Sequence, residues 1–124
     1  MKFAVIGPDT IQDVSGIREV LSTYDITGLI SGNQPGPDRI ARRYAIDNHI
    51  PLALACVNYS TFGNNASHLL NIQIVGFAEQ LIAFCDTETD ILHHTLEYAN
   101  RYGLPVDTYV QDANGQWALE IDHE

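Results

Sequence analysis

The chain has 124 residues and 45% hydrophobic residues, which indicates one globular domain able to form a core without a disulfide or a metal. Sixteen acidic and six basic residues give a formal net charge of −10. This charge excludes non-specific nucleic-acid binding and docking on an anionic membrane, because both need a basic surface. No apolar segment is long enough for a membrane span or a signal-peptide core, so a cytoplasmic location is expected.

Short apolar runs alternate with helical periods along the whole chain. The runs predict strands at 3–6, 27–31, 52–57, 81–85 and 106–110. Apolar residues at helical spacing predict a helix in each interval, and Gly103 is a C-cap signal that ends the fourth helix. The fold class is therefore α/β, with a doubly wound, mainly parallel five-stranded sheet and helices on both faces.

The domain is expected to span residues 1–110, and residues 111–124 form a polar C-terminal tail. Trp117, Leu119 and Ile121 alternate with polar or small residues in the tail. The alternation favours an extra edge strand. An arm that packs against a partner and a loose tail are the alternatives.

The segment from Gly28 to Asp38 joins a strand, a Gly/Pro loop and the start of a helix. Ligands of an open parallel sheet bind at the carboxyl ends of its strands, and a helix N-terminus favours an anion. Ser31 either donates to a phosphate or ends the strand, and Gly32 and Gly36 are turn glycines in both cases. Asp38 either caps the free N–H groups of the helix or accepts a ribose hydroxyl.

The loops that follow the predicted strands, taken in order, resemble those of the SLOG superfamily, and most closely its YpsA-related family. Those proteins carry G-S-R after the first strand, S-G-G-A-x-G-A-D after the second, an R-N-x-x-M helix and an A-L-I-A-F-W-D strand end. The matching residues are Gly7, then Ser31, Gly32, Gly36 and Asp38 at the same spacing, then Asn71, and finally 81–84 with Asp86. The likeness covers roughly residues 3–110 and implies a Rossmann-like fold.

The resemblance also implies a function, which is the binding of a nucleotide or nucleotide-derived small molecule. It implies that Gly7, Ser31, Gly32 and Gly36 shape a phosphate or ribose site, that Asp38 anchors a hydroxyl and that Asn71 closes the pocket. It further implies a homodimer or higher homo-oligomer. No cofactor is implied.

Departures from the family motifs favour sensing or sequestration of the ligand over catalysis. Pro8-Asp9, Asn33, Leu70 and Ile91-Leu92 replace family residues that bring a positive charge or a close backbone approach. Two alternatives remain at this point. One is a nucleotide N-glycosidic hydrolase resembling phosphoribohydrolases, with Asp38, Asp86 or Glu88 as its carboxylate, and the other is an assembly module with a decayed pocket.

Other polar groups admit a functional or a structural interpretation. Arg39 either contacts a ligand phosphate, or lies with Arg42 and Arg43 on a solvated face or in an inter-subunit ion pair. The acids Asp86, Glu88 and Asp90 either present oxygens to a metal ion or cap a helix, and capping is the preferred interpretation. Tyr59, Phe62, Asn64 and Asn65 are candidate base contacts, and Cys56 and Cys85 are expected to be buried, unpaired thiols. The candidate ligand-binding residues are Gly7, Ser31, Gly32, Gly36, Asp38, Arg39, Asn71 and Asp86.

Overall fold

The structure is a computed structural model that describes residues 1–7, 11, 14–32, 36–54, 73–74, 76–85, 97, 99–111 and 114–119. The described part is α/β. Its elements in chain order are β1 (Lys2–Ile6), α1 (Ile17–Leu21), β2 (Gly28–Ser31), α2 (Pro37–Asp47), β3 (Leu52–Leu54), β4 (Gln80–Cys85), β5 (Val106–Gln111) and β6 (Trp117–Leu119). Residues 73–74, 76–77, 97 and 99–101 are also helical.

The strands form one sheet in the order β3-β2-β1-β4-β5-β6. Strands β1 to β5 pair in parallel, and β6 pairs antiparallel with β5. The mainly parallel α/β sheet predicted from the sequence is confirmed, and the described residues contribute six strands to it. Strand β6 comes from the C-terminal tail. Its Trp117 packs edge-on against the ring of Phe84 in β4, which holds the tail on the sheet.

Alternating side chains of the strands build one core layer on each face of the sheet. Phe3 and Val5 of β1 pack with α1 and α2 on one face. Ala4 and Ile6 pack on the other face, where the helical residues Ile74 and Ala99 cover them. Burial on both faces explains why these strands are continuous apolar runs rather than alternating ones.

Two helices end with the same pair of backbone hydrogen bonds, a Schellman motif. At the first, the N–H of Leu104 donates to the carbonyl of Ala99 at 2.8 Å, and Gly103 has a φ of 70°. This confirms the C-cap predicted at Gly103. At the end of α2, the N–H of Ile50 donates to the carbonyl of Ala45 at 2.9 Å. The left-handed position there is taken by His49, with a φ of 55°.

These two helix ends predict opposite effects of substitution. His49→Gly should raise the free energy of unfolding by up to about 1 kcal/mol, because glycine adopts a positive φ without a Cβ clash. Gly103→Ala should lower it by about 1 kcal/mol, since a Cβ there meets no atom within 4 Å and only backbone strain acts. Urea unfolding of both variants measures the effects, and equal signs would contradict the assignment.

The end of β1 lies directly against the first turn of α2. A Cβ atom at Gly7 would lie 2.5 Å from Cγ of Pro37 and 3.1 Å from the backbone oxygen of Phe84. The distance to Pro37 is far below van der Waals contact, and Pro37 is itself fully buried. The absence of a side chain at Gly7 therefore lets α2 begin close to the sheet.

This close approach predicts that Gly7→Ala lowers the free energy of unfolding by about 1–3 kcal/mol, as overpacked sites do. Gly76→Ala is the matched control, because a Cβ at Gly76 meets no atom within 4 Å and its neighbour Phe77 is helical. The control should be neutral or raise the stability by about 0.4–1 kcal/mol. Equal losses in both variants, measured by urea unfolding, would refute the packing role of Gly7.

Candidate functional site

The carboxyl edge of the sheet brings together the predicted site residues that the structure describes. In the register, Val5 of β1 lies opposite Ser31 of β2, so the two strands end side by side. Helix α2 begins at this edge with Gly36 in the N-cap position. Gly7 and Gly32 each follow one of the two strands. Five predicted residues, Gly7, Ser31, Gly32, Gly36 and Asp38, thus lie around the first turn of α2.

Asp38 is the acidic group at the centre of this arrangement. It is the second residue of α2 and is only 6% exposed. A Cβ atom at Gly32 would lie 2.6 Å from Oδ2 of Asp38, so the carboxylate rests against the Gly32 backbone. A negative charge in the first turn of a helix is stabilised by the helix dipole. The site therefore has a buried carboxylate that a bare glycine backbone approaches closely.

Gly36 sets how α2 begins. Its φ of 92° and ψ of −137° belong to a region that only glycine adopts readily, and no side-chain hydrogen bond caps the helix there. Asp38 lies two residues beyond the N-cap position. Pro37 at the first helical position has no N–H group, so one of the usual orphan donors of a helix start is missing.

Ser31 ties β2 to α2. Its side chain is fully buried, and its hydroxyl lies 3.0 Å from the backbone carbonyl oxygens of both Gly32 and Asp38. Since the hydroxyl has one hydrogen, donation to these carbonyls leaves none for a phosphate. In this arrangement Ser31 holds the loop and the helix start together.

The remaining predicted residues are Arg39 and several residues that the structure does not describe. Arg39 is an exposed residue of α2. Arg43 does form an ion pair, but within the chain: its Nε lies 3.3 Å from Oδ1 of Asp47, and Nη1 of Arg18 lies 3.0 Å from Oδ2. Outside the described residues are Asn71, Asp86, Glu88 and Asp90, the proposed base contacts Tyr59, Phe62, Asn64 and Asn65, and Cys56.

Trp117 also lies near this site, although no role at the site was predicted for it from the sequence. Its indole Nε1–H donates to the carbonyl of Ser15 at 2.9 Å, and its ring centroid lies 5.2 Å from that of Phe84. A Cβ atom at Gly16 would lie 3.4 Å from its ring. Strand β6 thereby holds the segment just before α1, on the side of the carboxyl edge. The signal in the sequence was a lone tryptophan in an alternating tail.

Neither thiol nor metal chemistry is indicated among the described residues. Cys85, the last residue of β4, is half-buried rather than buried as expected. The described ranges contain no group of three His, Cys, Asp or Glu residues placed to hold a metal ion. Within those same ranges, no helix is both long enough and apolar enough to span a membrane.

A second polar cluster lies toward the amino ends of the strands, away from the candidate site. The Tyr24 hydroxyl donates to Oδ2 of Asp107 at 2.6 Å. The Tyr109 hydroxyl lies 2.7 Å from the Tyr24 hydroxyl. Gln80 donates to the same carboxylate oxygen at 2.9 Å. Because Tyr24 gives its hydrogen to Asp107, Tyr109 is the donor within the tyrosine pair. Burial, followed by these hydrogen bonds, raises the pKa of Tyr24 well above its usual value.

Tyr24→Phe tests this cluster. At neutral pH the variant should lose about 1–2 kcal/mol of stability, because Asp107 and Tyr109 each lose a hydrogen-bond partner. The folded state has the raised pKa, so the stabilisation by Tyr24 is complete below pH 10 or so and falls at higher pH. The gap between wild type and variant should therefore narrow in alkaline urea titrations. The exposed Tyr102→Phe is the control, and a gap that widens would refute the network.

The chain matches no protein-family model, no curated protein and no solved structure. The likeness to the SLOG superfamily is therefore a resemblance in loop motifs alone.

Proposed function

We propose that this protein binds a nucleotide or a nucleotide-derived small molecule at the carboxyl edge of a Rossmann-like sheet of the SLOG type. The observation that carries the proposal is Asp38, a buried carboxylate in the first turn of α2. It lies beside the ends of β1 and β2, and β1 is the strand from which the sheet order reverses toward β4. Ligands of doubly wound sheets bind at such a reversal, where an acidic residue accepts a ribose hydroxyl.

Two features of the site support a ligand of this class. The glycines at positions 7 and 32 leave room at the strand ends for Pro37 and Asp38, so the first turn of α2 and its carboxylate lie directly against the ends of β1 and β2. The first turn of an eleven-residue helix directs N–H groups and the positive end of the helix dipole toward the same edge. A ligand with a ribose hydroxyl for Asp38 and an anionic group for the helix start matches both features.

The proposed activity is sensing or sequestration without hydrolysis. Asp38, one of the carboxylates considered for N-glycosidic cleavage, is only 6% exposed and rests against Gly32. The sequence also lacks the P-G-G-x-G-T-x-x-E element that is typical of the phosphoribohydrolases of the superfamily it resembles. Neither feature favours a hydrolase.

A thermal-shift panel tests the proposal directly. The compounds are AMP, ADP, NAD, ADP-ribose, cyclic ADP-ribose isomers and cyclic dinucleotides. A ligand at 100 times its dissociation constant adds roughly 2.7 kcal/mol, which corresponds to a rise in Tm of about 5–10 °C for a chain of this size. Trp117, the one tryptophan of the chain, offers a fluorescence titration as the second readout. A flat panel in both readouts would overturn the proposal.

Asp38→Asn locates the site once a compound of the panel binds. The variant keeps the size of the side chain and removes its charge, so it should abolish most of the ligand-induced shift in Tm. Asp47→Asn is the matched control on the same helix, because it removes two exposed ion pairs, each worth about 0.2–1 kcal/mol. Its Tm should fall slightly while the ligand-induced shift stays. An unchanged shift in Asp38→Asn would place the ligand elsewhere.

A further inference from the structure

The turn between β5 and β6 contains the one Asn-Gly dipeptide of the chain, Asn114-Gly115. Strand β5 ends at Gln111 and β6 begins at Trp117, so the dipeptide lies outside both strands. Asn114 is exposed, and Gly115 has a φ of 80°. Asn-Gly suits hairpin turns because both residues accept a positive φ. The turn therefore presents to water an asparagine whose following residue has no side chain.

An asparagine that precedes glycine can lose its side-chain amide without an enzyme. The backbone nitrogen of the glycine attacks the side-chain carbonyl carbon Cγ, a bond from this nitrogen to Cγ forms, and the Cγ–Nδ2 bond breaks. The departing nitrogen takes the backbone proton and leaves as ammonia. Water then opens the five-membered succinimide ring at either carbonyl, which yields aspartate or isoaspartate. Glycine favours the attack because it has no Cβ to obstruct the approach.

Two other exposed asparagines in the described part of the chain, Asn48 and Asn100, provide a comparison. Nδ2 of Asn48 donates to the carbonyl of Tyr44 at 2.9 Å, which holds this amide at the end of α2, and a histidine follows it. Asn100 lies in a helix, where the backbone directs the following N–H along the helix axis and away from the side chain. Of the three, Asn114 is the one that combines exposure, a turn and a following glycine.

The turn also fixes the register of β6. Gln111 pairs with Trp117 across the antiparallel ladder, and the Gln111 side chain bridges the turn, with its Nε2 3.1 Å from the carbonyl oxygen of Gly115. In a hairpin the loop length sets the register of the two strands. An isoaspartate routes the main chain through its side-chain carbon and lengthens it by one methylene. This change falls between the paired residues, so it shifts β6 relative to β5.

Strand β6 depends on that register for its anchoring. Trp117, its first residue, packs on Phe84 and donates from Nε1 to the carbonyl of Ser15 at 2.9 Å. The other two residues of β6, Ala118 and Leu119, are exposed. The side-chain packing of the strand therefore rests on Trp117, and a shift of the register moves this indole away from both of its contacts.

We propose that Asn114 deamidates spontaneously through a succinimide with Gly115, and that its isoaspartyl product detaches Trp117 from Phe84 and Ser15. The aspartyl product adds only a negative charge to an exposed residue and leaves the strand in place. The turn therefore records the age of the protein molecule in one direction, with detachment of β6 as the structural result. The inference is independent of the proposed ligand, because neither residue of the dipeptide belongs to the ligand site.

The test is incubation of the full chain at physiological temperature, at neutral and at mildly alkaline pH, followed by peptide mapping with mass spectrometry. The peptide that contains Asn114 should gain the mass of an amide-to-acid conversion and become a substrate of isoaspartate methyltransferase. The conversion should be faster at alkaline pH, because the backbone nitrogen attacks in its deprotonated form. Asn48 and Asn100 should remain amides. Asn114→Gln should abolish the reaction, since its longer side chain disfavours ring closure.

Tryptophan fluorescence measures the structural consequence, since Trp117 is the one tryptophan of the chain. The emission of aged wild type should shift to longer wavelength as the indole leaves the ring of Phe84, in proportion to the isoaspartate formed. Freshly purified Asn114→Asp is the matched control. It adds the same charge without lengthening the main chain, so it should keep the emission of fresh wild type.

Three outcomes would overturn the proposal. Retention of the amide at Asn114, while a free peptide of residues 111–117 deamidates, would show that the folded turn protects the residue. Equal conversion at Asn48 or Asn100 would show that the turn has no special reactivity. Isoaspartate without a change in emission, or the same shift in Asn114→Asp, would refute the detachment of Trp117.

Discussion

The rest of the carboxyl edge depends on the close packing of the first turn of α2 against the ends of β1 and β2. The contact exists because two strand-ending residues, Gly7 and Gly32, have no side chain where Pro37 and Asp38 come to rest. Ser31 adds a hydroxyl that joins the loop backbone to the helix backbone. Without this approach the helix would start farther from the sheet, and Asp38 would not be buried beside the strand ends.

Much of the fold could be predicted from the sequence, because strands that are buried on both faces of a sheet have continuous apolar sequences. Phe3–Ile6 and Leu81–Cys85 are such runs, and the structure places them in adjacent parallel strands at the centre of the sheet. The helix end at Gly103 could be predicted because glycine is the usual residue at a left-handed backbone position. The same position at His49 could not be predicted, since intrinsic backbone propensity does not identify a non-glycine residue that its neighbours hold in the left-handed conformation.

Long-range packing explains what the sequence left open. The residues of β6 alternate like an edge strand, but an arm or a loose tail fits the same pattern. What selects the strand is the indole of Trp117, which packs on Phe84 of β4 and bonds to Ser15, 102 residues away. At the site, glycines at positions 7 and 32 were predicted from loop motifs as ligand contacts. Their tight packing against Pro37 and Asp38 depends on a helix position that no local pattern specifies.

The two polar clusters of the described structure differ in the groups that surround their carboxylates. At the amino edge, Tyr24, Tyr109 and Gln80 all direct hydrogen bonds toward the single carboxylate of Asp107 or toward one another. Such a closed set of partners fixes the chain and leaves little for a ligand to satisfy. At the carboxyl edge, Asp38 lies against the Gly32 backbone in the first turn of α2, where the helix dipole favours an anionic group. The first turn of α2 therefore shapes this edge, and its packing against the strand ends places Asp38 there.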